Sequence, residues 1–369
     1  IVACAGILFR LSVLPFPATA SDDIYRYVWD GKVAANGINP YRYAPDDQAL
    51  NFLHSDILPK NVNFPSMKTI YPPYAQMIFF TSYKIFGENF TGFKLFLLLS
   101  EMLTLWLLYL LLKELKLPLY NIALYALCPL PIMQFMIDGH VDGLGLPLFV
   151  LSLLLFFKRK KIWFMVSLGL SISTKLISGM ILPFTAMESD KNYLKKAIAF
   201  FIPLVVFALS YIPFLSHDVF PFESLMTFTA NWSFNSSSFA LFFNILPDNQ
   251  KARIISGILF LLVGIWLFFS KKGIRDKIYY IFLFFLLLSP TVHPWYLNWL
   301  AVILPISFKL SGLAFVTLIN IANIVVIDYK LKGIWELSSW LQWVEYLPVY
   351  LLLFWELGGS RLWNRLRTR

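Results

Sequence analysis

Apolar runs alternate with short polar stretches along almost the whole chain. The runs are 1–14, 93–112, 119–137, 142–157, 162–174, 177–187, 195–215, 252–270, 277–291, 295–308, 311–327 and 343–358. About 20 apolar residues carry a helix across the roughly 30 Å hydrocarbon core, and fewer suffice for half of a broken pair. The pattern therefore predicts an all-α polytopic membrane protein with about twelve crossings. No short-period repeat, low-complexity tract or soluble domain interrupts it, so one membrane domain over 1–369 is expected, with polar loops at 15–92 and 216–251. The chain opens on Ile1 inside an apolar run, and the start of the first helix is expected to lie upstream.

Lys and Arg collect at 113–116, 158–161, 191–196, 271–277 and 361–369, which the positive-inside rule places in the cytoplasm. Parity then requires two adjustments. The segment 72–86 must be an interfacial helix, and 162–187 must be two short helices broken near Lys175. With these, the 16–71 loop, the 138-DGHVDG-143 turn, the 216–236 loop and the 291-TVHPWY-296 turn share the outer face.

Composition agrees with this picture: the 369 residues are 58% hydrophobic, 18% aromatic and only 14% charged. The formal charge of +10 sits in interhelical clusters rather than in one surface stripe, which argues against a nucleic-acid partner. Cys4 and Cys128, both within apolar runs, are too few for a disulfide framework or thiolate metal site.

The stretch 21-SDDIYRYVWDGKVAANGINPY-41 breaks the apolar pattern. Ser21 is a good N-cap, Asp22 and Asp23 suit a first turn, and Asn36-Gly37 with Pro40 ends the segment, so a helix is expected over 22–36. At 100° per residue, Asp22, Asp23, Arg26 and Asp30 share an arc while Ile24, Tyr25, Tyr27 and Val28 fill the other side. The bland reading is an amphipathic helix on the membrane surface, anchored by Tyr25, Tyr27 and Trp29. Its company argues for more, since ionisable groups in one membrane layer are costly without a task.

Asp138, His140 and Asp142 stand in the DGHVDG turn, as a simple polar turn or as ligand groups. Lys175 interrupts an apolar run, either snorkelling or meeting an anion. His293 precedes a proline at a helix start, as a cap or a ligand group. Arg10 lies near the outer end of the first helix. Tyr71 opens 71-YPPYAQ-76, and Trp232 and Asn235 lie in 231-NWSFNSSSF-239. Two sequons in that loop and one at Asn89 fall on the same expected face. Carboxylates, cations and aromatics at a membrane boundary suit transfer of an activated group from a lipid phosphate to a hydroxyl. A carboxylate takes the hydroxyl proton, cations meet the departing phosphate and aromatic faces hold a sugar.

The succession Asp-Asp-x-x-Arg-Tyr-x-Trp-Asp-Gly, Gly-Ile-Asn-Pro-Tyr, 71-YPPYAQ-76, 139-GHVDG-143, Lys175 and 291-TVHPWY-296 resembles the GT-C superfamily of integral membrane glycosyltransferases. It is most similar to the bacterial polyprenol-phosphate-mannose-dependent mannosyltransferase-like proteins, and more distantly to GPI mannosyltransferase I. The resemblance covers essentially the whole chain and is strongest over 21–76. It implies a GT-C bundle with interfacial helices and a catalytic acidic residue in the first outer loop, in a bacterial inner membrane. It also implies inverting transfer of a hexose, most simply mannose, from a polyprenyl phosphate to a glycan, lipid or protein hydroxyl, with no metal and no cofactor. Counting back from Gly37-x-Asn39-Pro40-Tyr41 places Asp23 on the second Asp of the family's Asp-x-Asp motif. Ser21 replaces the first, so the choice between Asp22 and Asp23 stays open, with Asp23 favoured. Asp142 matches the second acidic motif and His293 a donor-binding histidine, whereas Lys175 and Arg10 as phosphate contacts follow from charge alone. The rival readings are a transporter or lipid-linked-sugar flippase, and an accessory membrane subunit without catalysis. A flippase calls for midplane charges and often inverted repeats, neither of which is visible.

Overall fold

The computed structural model describes residues 2–359, and the basic cluster at 361–369 lies outside them. Among the described residues four helices are long and apolar enough to cross a membrane: Phe90–Glu114, Tyr193–Phe214, Asn249–Phe269 and Leu310–Lys332. Leu119–Ala126 and Pro129–Ile137 together make a bent span, and Val2–Val13, Asp142–Phe157, Lys161–Ile172 and Leu176–Ser189 are shorter apolar helices. These track the apolar runs closely. The break expected near Lys175 is present, because Lys175 is extended at φ −152° and ψ 125° between Lys161–Ile172 and a 3-10 turn.

One run departs from helix. Residues 295–308 form only the short pieces Pro294–Leu297 and Asn298–Ala301, followed by turns. Pro294 and Pro305 withhold backbone donors, and the segment is buried in protein, with Trp299, Leu300 and Leu304 at 0% exposure. Irregular backbone survives at membrane depth only in such surroundings.

The chain divides into two compact units. The first takes the chain through Leu127 together with Pro131–Asn231, and the second takes Cys128–Leu130 and the chain from Trp232 onward. Within the first unit, α2 (Asp23–Ala35) packs on α3 (Pro73–Phe86) and α4 (Phe90–Glu114), and α1 (Val2–Val13) packs on α4, with the polar loop linking α2 to α3. The end of α2 follows its local sequence. Gly37 is left-handed at φ 77°, and the amides of Gly37 and Ile38 donate to Ala34 and Val33, closing a Schellman motif.

The surface-helix expectation for 22–36 is corrected. Ile24, Tyr27, Val28 and Trp29 are buried, and so are Arg26 and Asp30 on the opposite arc. Tyr27 and Trp29 are therefore core residues rather than boundary anchors. The charged arc tolerates burial because it is satisfied internally: Arg26 Nε donates to Asp30 Oδ1 at 2.9 Å, Arg26 Nη2 to the Met67 carbonyl at 2.8 Å, and Gln76 Nε2 to Asp30 Oδ2 at 2.9 Å. α3 lies against α2 at Gly31, where a Cβ would stand 2.3 Å from the Phe79 carbonyl oxygen. Only glycine permits that approach. Tyr27 stacks on Phe79 with ring centroids 4.9 Å apart, and Tyr71 meets Tyr27 edge-on at 4.9 Å.

Candidate active site

The first turn of α2 is the centre of the polar cluster. Asp22 rather than Ser21 occupies the N-cap position; it makes no side-chain cap bond and is exposed. The Ser21 hydroxyl instead accepts from the Asp23 amide at 3.2 Å. Asp23 points the other way, into the first unit, with its side chain only 19% exposed. Its Oδ1 accepts from Asn63 Nδ2 at 2.9 Å. Its Oδ2 lies 3.4 Å from the Tyr27 hydroxyl, one helical turn on, and 3.6 Å from His140 Nδ1.

Two loops are folded to bring these groups together. Asp138 is buried and accepts from the Thr19 and Ala20 amides, both at 2.9 Å, so it pins the strand of chain leading into α2. Lys94 Nζ holds the same lead-in by donating to the Phe16 carbonyl at 2.6 Å. Gly139 is left-handed at φ 74°, and a Cβ there would meet Ile24 Cδ1 at 2.6 Å. That glycine lets the turn close against α2 and delivers His140, fully buried, beside Asp23.

Asp142 sits in the first turn of the Asp142–Phe157 helix, where the helix dipole favours a negative charge. It is fully buried and accepts from Lys175 Nζ at 3.0 Å, while Lys175 keeps 23% of its side chain exposed. The break that frees Lys175 has its own cause. The Tyr74 amide, an orphan donor in the first turn of α3, is satisfied by the Ser173 carbonyl at 3.0 Å and hydroxyl at 3.2 Å.

Burial pushes the Asp23 carboxyl above the ordinary carboxylate range, with Asp142 and Asp22 adding to it, while the Asn63 hydrogen bond and the Lys175 charge oppose the rise. Burial likewise raises the Tyr71 phenol well above its usual value, and the Asp23 charge adds to it. The cluster thus joins a half-sheltered carboxylate of elevated basicity to a cation held by a second, buried carboxylate.

The remaining sequence candidates separate. Arg10 is not a phosphate contact here. It is fully buried, donates from Nε and Nη2 to Glu101 Oε2 at 3.0 and 2.8 Å, and from Nη1 to the carbonyls of Gly6 and Ala126. Arg26 and Asp30 are committed to the α2–α3 joint and Asp138 to the lead-in, and all three are buried. Tyr71 belongs to the aromatic floor under Asp23, and its carbonyl accepts from the Tyr41 hydroxyl at 2.6 Å. In the second unit, His293 is half-buried and stacked between Phe234 and Trp295, at centroid distances of 4.6 and 4.2 Å. Asn235, offered by the sequence for hydrogen bonding, is buried and donates to Glu345 at 2.9 Å. Trp232 is half-buried, and its carbonyl accepts from Arg253 and Thr291. Asn63 escaped sequence reading because an asparagine in an irregular loop carries no periodic signal. Glu101 escaped because one acid in a long apolar helix reads as an isolated charge.

Comparison with known proteins places this architecture. The crystal structure of ArnT from Cupriavidus metallidurans, bound to undecaprenyl phosphate, superposes at a TM-score of 0.52 and 13% identity, over 98% of this chain and 72% of that one. The fold is that of the GT-C membrane glycosyltransferases, a multi-pass helical class. No curated protein sequence matches the chain. Residues 5–191, just over half of the chain, match the profile of the MptA_B family, described as alpha-(1->6)-mannopyranosyltransferase, N-terminal domain. The chain belongs to that family.

Proposed function

We propose that the protein transfers a hexose, mannose in the first instance, from a polyprenyl phosphate to a hydroxyl acceptor on the extracytoplasmic face, with inversion and with Asp23 as general base. The observation that carries this reading is the convergence of Asp23 with Asn63, His140 and the Lys175–Asp142 pair at the first turn of α2. The family and the lipid-phosphate ligand named for the ArnT structure agree with it.

In the step proposed, the acceptor oxygen bonds to the anomeric carbon as its proton passes to Asp23 Oδ2. The bond from that carbon to the phosphate oxygen breaks, and its electron pair leaves on the lipid phosphate. A base works best when its pKa approaches the operating pH, and burial moves Asp23 in that direction. Lys175, held by Asp142 with part of its side chain exposed, is the cation assigned to the charge developing on the phosphate. His293 in its aromatic sandwich is assigned to donor binding. Trp232 is assigned to stacking on a sugar. The acceptor is a glycan, lipid or protein hydroxyl.

The test uses the purified protein in lipid vesicles with radiolabelled polyprenyl-phosphate-mannose and a panel of oligosaccharide, glycolipid and hydroxyl-peptide acceptors. Asp23→Asn should abolish transfer while Asp22→Asn retains it. Transfer by Asp23→Asn would refute the assignment, and movement of the donor across the vesicle without turnover would favour a flippase.

A further inference from the structure

The two oxygens of the Asp23 carboxylate are held unequally: Oδ1 has a short hydrogen bond, while Oδ2 has only the longer contacts to the Tyr27 hydroxyl at 3.4 Å and His140 Nδ1 at 3.6 Å. Asn63 reaches Oδ1 at 2.9 Å, across 40 residues of chain, from a loop with no regular helix at that point. The loop is nevertheless firmly built. Leu58 and Val62 are buried beneath it, the Asp46 amide donates to the Pro65 carbonyl at 3.2 Å, and the Met67 amide donates to the Phe64 carbonyl at 3.0 Å. Phe64, immediately after Asn63, is left-handed at φ 48°. That conformation is strained for a bulky side chain and persists only where surrounding contacts over-determine it. The clamp comes from α2 itself: Arg26, oriented by Asp30, donates to the Met67 carbonyl at 2.8 Å. One helix therefore carries both the carboxylate and the anchor for the loop that contacts it.

We propose that Asn63 is a positioning residue of the transfer, fixing Oδ1 of Asp23 so that Oδ2 is presented to the acceptor hydroxyl. A carboxylate without such a partner rotates about its terminal torsion and presents either oxygen, whereas a charge-assisted hydrogen bond from a locked loop removes that freedom. The same bond favours the ionised form of Asp23, opposing burial. The other titratable and charged groups around Asp23 are Asp22 at the exposed N-cap, Tyr27 on its own helix, Tyr71 before α3, His140 and Asp142 from the DGHVDG turn, and Lys175. These are unchanged in the variants below, so the shift reports on Asn63.

The inference rests on Asp23 being the base, and the experiment separates the two. The pH dependence of kcat/KM is measured with radiolabelled polyprenyl-phosphate-mannose for the wild type, Asn63→Leu and Asn63→Asp, in vesicles containing matched amounts of inserted protein. Asn63→Leu removes the donor and should move the acidic limb upward by about one unit, about a tenfold loss below the limb. Asn63→Asp replaces the donor with a like charge at nearly the same size and should move it further. Were Asn63→Leu to fail to insert, Asn63→Asp carries the test alone. An acidic limb unchanged in the inserted variants overturns the role of Asn63 while Asp23→Asn is inactive; an active Asp23→Asn overturns the base assignment itself.

Discussion

Replacing Glu101 by leucine would leave the Arg10 guanidinium, at 0% exposure, with only carbonyl partners from Gly6 and Ala126. In the native protein the pair is closely matched. Glu101 Oε2 accepts from both Nε and Nη2 of Arg10, at 3.0 and 2.8 Å, and its Oε1 accepts from the Tyr125 hydroxyl at 2.6 Å. Attraction between unit charges at such spacing is roughly 4–6 kcal/mol at an effective dielectric of about 20. Most of it offsets desolvation, so the pair itself contributes little net stability. Removing one partner is different, because the other charge then stays buried and unpaired, at a cost of about 3–5 kcal/mol. Glu101→Leu and Arg10→Met should each destabilise by that amount, while the double variant should cost much less than the sum. The assay is reversible unfolding in mixed detergent micelles, with the coupling energy taken from the double-mutant cycle. If the single variants are additive, or if Arg10→Met leaves stability intact and raises only the KM for the lipid donor, the structural role of Arg10 is refuted.

Two further outcomes follow from the charge arrangement. Because the folded-state pKa of Asp23 is raised, its contribution to stability is complete below the unfolded value near 3.8 and is lost as pH rises through the folded value, so the ionised side chain costs stability at neutral pH. Asp23→Asn should therefore melt at or above the wild-type temperature at pH 7, with the difference shrinking toward pH 4 in a thermal scan; a lower melting temperature at pH 7 refutes the assigned burial cost. Lys175→Met removes a charge that favours ionised Asp23 and leaves Asp142 buried beside it. It should move the acidic limb of the pH–rate profile upward and lower kcat by about tenfold or more, and an unchanged limb would show that Lys175 is electrostatically remote from the base.

Much of the architecture was written in local pattern. Apolar runs long enough for a membrane helix, the Asn36-Gly37 stop, the Tyr-Pro-Pro start of α3 and the cation breaking 162–187 are properties of neighbouring residues, and each reappears within a few positions. The stretch 295–308 misled because hydropathy measures burial without saying whether lipid or protein provides it. Charge was legible as a cost but not in its resolution. Arg10 and Lys175 each interrupt an apolar run, yet one is consumed by Glu101, 91 residues away, and the other is held half-open by Asp142. Asp23, Asn63, His140 and Lys175 come from four separate segments, and only packing decides that Asn63 meets one oxygen of Asp23 while Asp22, its neighbour in sequence, turns to the surface. Periodicity and capping act over a few residues, so the sequence determined the helices and the places where charge had to be explained. Which charge faces a counter-ion and which faces a substrate depends on partners brought together across long separations, and that only the tertiary structure decided.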